Sequence, residues 1–228
     1  MSNILAGRGK VIIAFLLVFG PAFLLILIST RGCSHKFKEL SNYGVIKDVE
    51  ITLHPQSRKV RLSEFKGDIL LITTLQKTCP TDCAVSFWHI DQMHFQHIRK
   101  NKNKKLKRVR IISFVTDGKG NPASVEDVKT LSQALYDNVE EYDPEIWILA
   151  TGDVKAVYNI QHNDQTLLQK GNKFYGGEAF QELILLLDKE RNLRMVLPGN
   201  EEGLVRKMRE HVALLQKQYD KERGRKNN

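Results

Sequence analysis

A chain of 228 residues, 42% hydrophobic and 27% charged, has the composition of a folded globular protein, not of a fibrous or disordered one. With about the first thirty residues set aside, the remainder suffices for one α/β domain with its own core. The formal charge of +9 admits nucleic acid, anionic lipid or an acidic protein as partner. Three cysteines, Cys33, Cys79 and Cys83, are too few for a disulfide scaffold. With only one close pair, a structural zinc site is not expected either.

Residues 1–10 form a short N-terminal tail. Val11 to Thr30, VIIAFLLVFGPAFLLILIST, carries no charge and is long enough to cross a bilayer as a helix. Gly20 and Pro21 predict a kink that membrane helices tolerate. Arg8 and Lys10 precede the stretch and Arg31, Lys36 and Lys38 follow it, so the positive-inside rule does not orient it cleanly. The shortness of the tail favours a cytoplasmic N-terminus and an exported domain. The alternatives are a cleaved signal peptide and a lipoprotein signal with Cys33 acylated; Arg31 fits the latter poorly. On the anchor reading Cys33 is a juxtamembrane bystander.

Residues 31–47 read as a linker and 48–220 as the domain. Val49, Ile51 and Leu53 alternate with polar residues, as a half-buried strand should. His54 to Ser57 is turn chemistry, and Val60 and Leu62 complete a hairpin. Asp68 to Thr74, DILLITT, is a continuous apolar run of the kind that is buried on both faces of a sheet. Ala84 to Lys100 predicts a helix with Val85, Trp88, Met93 and Phe95 on its apolar surface, although the periodicity is not clean.

Val109 to Val115 predicts a second buried strand. A helix from Pro122 and Ser124 to about Tyr136 follows, with Ser124 as N-cap. Ile146 to Ala150 is a third strand, and Asp153 caps a short helix to about Asn159. Leu183 to Leu187 and Leu193 to Leu197 form a closing hairpin across Lys189 to Asn192. A last helix runs from Glu201 past Tyr219, and 221–228 is a polar tail. Strands alternating with helices predict an α/β sheet with parallel central pairs. With the N-terminal hairpin and the antiparallel closing hairpin, this is a thioredoxin-like arrangement.

Arg99 to Arg110, RKNKNKKLKRVR, holds eight basic residues in twelve. It reads first as a solvated connector whose cations complement a helix C-terminus. Anionic lipid or an acidic redox partner is the sharper alternative. No aromatic platform or reading helix accompanies it, so nucleic acid is not expected as a partner.

The chemistry is concentrated in Leu75-Gln76-Lys77-Thr78-Cys79-Pro80-Thr81-Asp82-Cys83, between a buried strand and a helix. Cysteines at i and i+4 can share one face at a helix start. The partial positive charge of a helix N-terminus favours a thiolate, and Pro80 suits a first helical turn. Two thiolates serve thiol–disulfide exchange or hold Cu(I), while Cu(II) needs a further nitrogen donor. The bland alternative is a buried pair or a static disulfide.

The segments DILLITTLQKTCPTDC, IISFVTDGKGNPASVEDV, EIWILATGDVKAVYNI and LILLLDKERNLRMVLPG together resemble the SCO/SenC family of thioredoxin-fold, copper-handling proteins, over most of residues 45–218. The resemblance implies copper held by Cys79, Cys83 and a histidine, with delivery of copper to, or thiol reduction at, the copper centre of a cytochrome oxidase subunit. The family's histidine would fall just before the strand ending at Asp188. This chain has Phe180, Gln181 and Glu182 there, and no histidine between His162 and His211. Ala84 stands where the family often has a second proline. His162 is the nearest substitute ligand; His89, His94 and His97 read as surface or packing residues.

The resemblance therefore implies a single-pass membrane protein with its domain on the extracytoplasmic, periplasmic-type side, acting through Cys79 and Cys83. In exchange chemistry Cys79 would attack and Cys83 resolve. The alternatives are a thiol–disulfide oxidoreductase without copper, a non-catalytic anchored domain with a structural disulfide, and, more remotely, a peroxidase with Lys77 and Thr78 beside its cysteine.

Overall fold

The computed structural model describes residues 3–32, 39–76, 87–102, 106, 108–162, 165–169 and 178–226. It divides into two units, Met1–Lys38 and Glu39–Asn228. The first contains one helix, α1 (Asn3–Gly32), with Pro21 inside it. Its described apolar side chains, such as Phe15, Leu17 and Phe23, are exposed. The predicted span, residues 11–30, falls inside α1. Among the described residues, no helix is long and apolar enough to cross a membrane.

The second unit is built on a seven-stranded sheet, ordered β2-β1-β5-β4-β3-β8-β9. Its strands are β1 (Glu50–His54), β2 (Arg58–Arg61), β3 (Ile69–Gln76), β4 (Val109–Thr116), β5 (Trp147–Gly152), β8 (Leu183–Leu187) and β9 (Leu193–Pro198). β3, β4 and β5 run parallel. β1 is antiparallel to β5 and β2, and β8 is antiparallel to β3 and β9. The helices are α2 (residues 87–101), α3 (Val125–Asn138), α4 (Val154–Tyr158) and α5 (Glu202–Lys226).

The apolar runs in β3, β4 and β8 have no polar face because each face carries its own core. On one face, Ile69, Leu71, Leu75, Val109 and Ile111 meet Phe95 of α2, Val128 and Leu135 of α3, and Met208 and Val212 of α5. On the other, Leu70, Ile72, Ile112, Phe114 and Leu185 pack with Val157 and Tyr158 of α4 and with Phe180. Polar groups inside the sheet are paired across strands. The hydroxyls of Thr73 in β3 and Ser113 in β4 are 2.6 Å apart, and Trp147 Nε1 of β5 donates to Ser113 Oγ at 2.8 Å.

The closing hairpin turns on Asp188. Its carboxylate accepts from the backbone N–H groups of Glu190 and Asn192 at 2.9 Å and from Arg194 at 3.3 Å. Arg194 and Asp188 are nearly buried, and removing one partner of such a pair costs about 3–5 kcal/mol. The exposed Lys59–Glu50 pair contributes about 0–1 kcal/mol.

Several elements differ from expectation. Leu62 belongs to a 3₁₀ turn, Leu62–Phe65, and not to β2. Two short strands, β6 (Gln161–His162) and β7 (Gln165–Thr166), pair antiparallel, in polar sequence with no alternation to announce them. α2 departs most. Its middle, Ile90–Phe95, is π-helical, with Gln96 N–H donating to Asp91 O. The extra residue per turn rotates the buried face, which explains the broken periodicity. His89, Ile90, His94, Phe95 and Ile98 point inward, whereas Trp88, expected on the apolar surface, is half exposed.

His94 is the most costly consequence. It is 2% exposed and its Nε2 has no hydrogen-bond partner. Burial, with the nearby Arg209, His97 and His89 adding to it, pushes the imidazole from its ordinary 6.5 down to about 3. The folded-state pKa lies below the unfolded one, so the unfolded chain binds the extra proton between those values. The contribution is intact above pH 6.5 and is lost as pH falls, with a slope approaching about 1.4 kcal/mol per pH unit. Urea unfolding between about pH 7 and pH 5 should show this loss, and His94→Leu should flatten the slope relative to wild type.

Candidate functional site

The carboxyl ends of the parallel strands lie on one edge, with Gln76 of β3 opposite Thr116 of β4. β3 is flanked by β4 on one side and by β8, which returns from the end of the chain, on the other. Open α/β sheets bind ligands outside the carboxyl ends of the strands at such a reversal of connection. Cys79 follows Gln76 by three residues. Cys79 and Cys83 themselves lie outside the described residues, as do Cys33, Lys77, Thr78 and Ala84. The structure describes the strand that leads to Cys79 and the elements at its carboxyl end.

That edge is closed by a 3₁₀ turn, Ala179–Glu182, leading into β8. Gln181 ties it to both central strands. Its carbonyl accepts from Thr74 Oγ1 at 2.8 Å, its Oε1 accepts from Thr116 Oγ1 at 2.5 Å, and its Nε2 donates to Gly118 O at 3.2 Å. The loop after β4 is equally constrained. Asp117 Oδ1 accepts from the N–H groups of Lys119 and Asn121 at 2.8 Å. Burial opposes ionisation of Asp117, but the hydrogen bonds from Asn121 and Lys119 outweigh it and hold the carboxyl below its ordinary value.

A second group of polar atoms lies where β9 ends. Gly199 N–H donates to Glu182 O at 2.8 Å, and His89 Nδ1 donates to Gly199 O at 3.3 Å. Glu182 Oε1 and Asn200 Oδ1 are both buried without a hydrogen-bond partner. Burial raises the Glu182 carboxyl above the usual carboxylate range. The sequence pointed to Glu182 only as a place where a histidine is missing. Nothing in its type or spacing marks one of its oxygens as buried and unpaired.

The remaining predicted residues separate. The backbone of His162 ends β6, and its side chain lies outside the described residues. His89 and His94 are buried packing residues and His97 is partly buried, lowered chiefly by burial. Among the described residues, no group of three His, Cys, Asp or Glu side chains could hold a metal ion. The unpartnered oxygens of Glu182 and Asn200 are hard donors, where Cu(II) bound beside thiolates calls for imidazole. Among the described residues, none supplies that imidazole to a metal group.

This architecture is a thioredoxin-like α/β fold, with the β1–β2 hairpin added at one edge of the sheet. It is shared with a solved Sco structure, BsSco, described as a member of the Sco family of cytochrome c oxidase assembly proteins and carrying a disulfide switch. That chain is 16% identical, with a TM-score of 0.56 over 80% of this chain and 98% of the other. A SCO1/SenC family lipoprotein from Bacillus anthracis is 16% identical, with a TM-score of 0.50 over 74% and 95%. A structure from Chlorobium tepidum named as a thiol:disulfide interchange protein DsbE is 13% identical, with a TM-score of 0.50 over 78% and 99%. No protein-family model and no curated protein sequence matches the chain.

Gly120 offers a direct check on this edge. It has φ +73°, and a Cβ there would lie 2.5 Å from Phe180 Cζ. Gly120→Ala combines a left-handed conformation with a clash. It should destabilise the domain by about 1–3 kcal/mol in thermal or urea unfolding. Gly118→Ala, where a Cβ meets nothing within 4 Å, is the comparison and should change stability far less.

Proposed function

We propose that this chain is a membrane-anchored, extracytoplasmic thiol protein whose Cys79–Cys83 dithiol reduces a partner's cysteines, and carries Cu(I) between proteins, during assembly of a copper centre such as that of cytochrome oxidase. What supports the reading is the place of the pair in the sequence: Cys79 and Cys83 follow Gln76, the last residue of the central strand β3, by three and seven positions, and β3 lies between β4 and β8, where the strand connections reverse. The fold shared with BsSco supports the copper context, and the fold shared with the thiol:disulfide interchange structure supports the dithiol chemistry. The charge-free sequence Val11 to Thr30 is what supports the anchor.

In the exchange step, the Cys79 thiolate attacks a partner disulfide and forms a mixed disulfide, expelling one partner sulfur. Cys83 then attacks Cys79, the bond from Cys79 to the partner breaks, and the second partner sulfur leaves. Two electrons pass from the Cys79–Cys83 dithiol to the partner, which ends with two thiols. With Cu(I) as cargo the same two sulfurs act as soft ligands and no electrons move. With no imidazole at 180–182, two sulfurs alone suit Cu(I) better than Cu(II).

Anaerobic titration with Cu(I) and Cu(II), run beside a redox titration of the thiols, tests this. Wild type should bind Cu(I) far more tightly than Cu(II) and should oxidise reversibly at a potential above about −300 mV. Cys79→Ala and Cys83→Ala should each abolish both behaviours. A disulfide that stays oxidised well below that potential, with no Cu(I) binding after reduction, would instead identify an anchored domain with a structural disulfide.

A further inference from the structure

We infer that Trp147, Tyr142 and Tyr136 form a relay that carries an oxidising equivalent out of the core to the surface, where Tyr136 holds it as a neutral phenoxyl radical. The co-reactant is a one-electron oxidant, chemical or photochemical. None of these residues belongs to the thiol segment.

The three rings make a continuous line. Trp147 opens β5 and is fully buried. Its ring centroid lies 6.3 Å from that of Tyr142, in the loop before the strand, with the rings tilted at 69°. Tyr142 meets Tyr136, near the end of α3, at 4.9 Å and edge to face at 87°. Tyr136 is half exposed. Both separations are those of aromatic rings in contact. Electron tunnelling falls off steeply with distance, so rings in contact exchange an electron readily. The line therefore runs unbroken from an enclosed indole to water.

Hydrogen bonds and packing hold the first two rings in place. Tyr142 O–H donates to Trp147 O at 2.7 Å, and Trp147 Nε1 donates to Ser113 Oγ at 2.8 Å. Phe95 packs against both, 5.7 Å from the Trp147 ring and 6.1 Å from that of Tyr142.

Proton chemistry sets the direction. An indole or phenol that loses an electron becomes a strong acid, and it settles as a stable radical only where the proton can leave. The Trp147 N–H faces the Ser113 hydroxyl, itself 2.6 Å from the Thr73 hydroxyl, and neither hydroxyl is a base. The indole radical cation keeps its proton there and stays strongly oxidising. Tyr142 donates to a backbone carbonyl. Burial, with Tyr136 and Asp143 adding to it, opposes loss of its phenol proton. Tyr142 is therefore a bridge and not a resting place. Tyr136, half in water, can give its proton to solvent, so the oxidising equivalent stops there.

Other aromatic residues lack this continuation. Tyr158 is fully buried, donates to Leu183 O, and has Phe180 as its ring neighbour; a phenyl ring is not readily oxidised. Trp88 is paired with the ring of His89. Tyr219 lies under Lys189 Nζ at 4.2 Å, and a cation attracted to the ring face opposes the loss of an electron from it.

The balance is one electron and one proton. The oxidant takes one electron from Trp147 and is itself reduced by one. An electron passes from Tyr136 across Tyr142 to the indole, which is restored. Tyr136 releases its phenolic proton to water and remains as the phenoxyl radical.

Flash photolysis of the full chain in detergent tests this. Trp88→Phe leaves Trp147 as the single indole. A laser pulse at the red edge of the indole band, where tyrosine does not absorb, ejects an electron that a dissolved scavenger removes. Transient absorption should show the indole radical decaying as a phenoxyl radical rises, with one rate constant. Adding Tyr136→Phe should abolish the rise and prolong the indole radical; the substitution is at a half-exposed position and keeps the ring, so the fold should persist. An indole radical that decays without a phenoxyl, or a rise unchanged by Tyr136→Phe, overturns the proposal. Wild type supplies a measurement that needs no variant. After the same pulse with a nitroso spin trap present, mass spectrometry should place the tyrosine adduct on Tyr136, and an adduct confined to other tyrosines overturns the proposal. Neither result alters the dithiol reading.

Discussion

The organising constraint is the double burial of β3. Its residues Leu70, Leu71 and Ile72 are each 1% exposed or less, so both faces must be covered by helices. Both edges must also be occupied, by β4 and β8. A strand so enclosed cannot shift register, because a one-residue slip would exchange the two cores. Its carboxyl end is consequently a fixed point. Whatever leaves it, here the segment containing Cys79, starts from a defined place and direction. The polar ladder of Thr73, Ser113 and Trp147 adds to this, since hydrogen bonds running across three strands allow only one alignment.

Much of this was readable from residue order. Continuous apolar runs in β3, β4 and β8 mean burial on two faces, and the alternation in β1 means burial on one. Asp153 and Ser124 announce their helices and do accept the capping bonds, from Ala156 N–H and Asp127 N–H. What was not readable shares a physical cause, which is dependence on contacts distant in sequence. The π turn in α2 is such a case. Asp91 and Gln96 bond to each other and Gln96 donates to Glu140 O, and no local propensity encodes a contact with a loop more than forty positions away. Leu62 looked like the next strand residue because its burial comes from the second core, not from a neighbouring strand. The pairing of β6 with β7 has no apolar pattern to reveal it.

The histidines show how residue type misleads without position. Three lie on α2, close in sequence to two cysteines, the kind of neighbourhood in which a metal site is looked for. The π turn instead draws His89 and His94 into the core. An imidazole with a buried, unpaired nitrogen and Arg209 nearby is held neutral. It contributes stability at neutral pH and loses it in acid. Its role is in packing α2, the helix that carries the chain away from the thiol segment, so acid sensitivity of the domain and chemistry at the thiols are separable properties.

Where the resemblance to the SCO/SenC family leads one to expect a histidine, the chain has Phe180, Gln181 and Glu182. An imidazole beside two thiolates would complete a three-coordinate soft and borderline donor set and would hold Cu(II) as well as Cu(I). A carboxyl there does neither well. It is a harder ligand, and in a buried, donor-poor position its charged form is disfavoured. One oxygen of Glu182 is buried without a donor, and burial raises the carboxyl's affinity for a proton, so the side chains described at 180–182 offer no substitute for that imidazole.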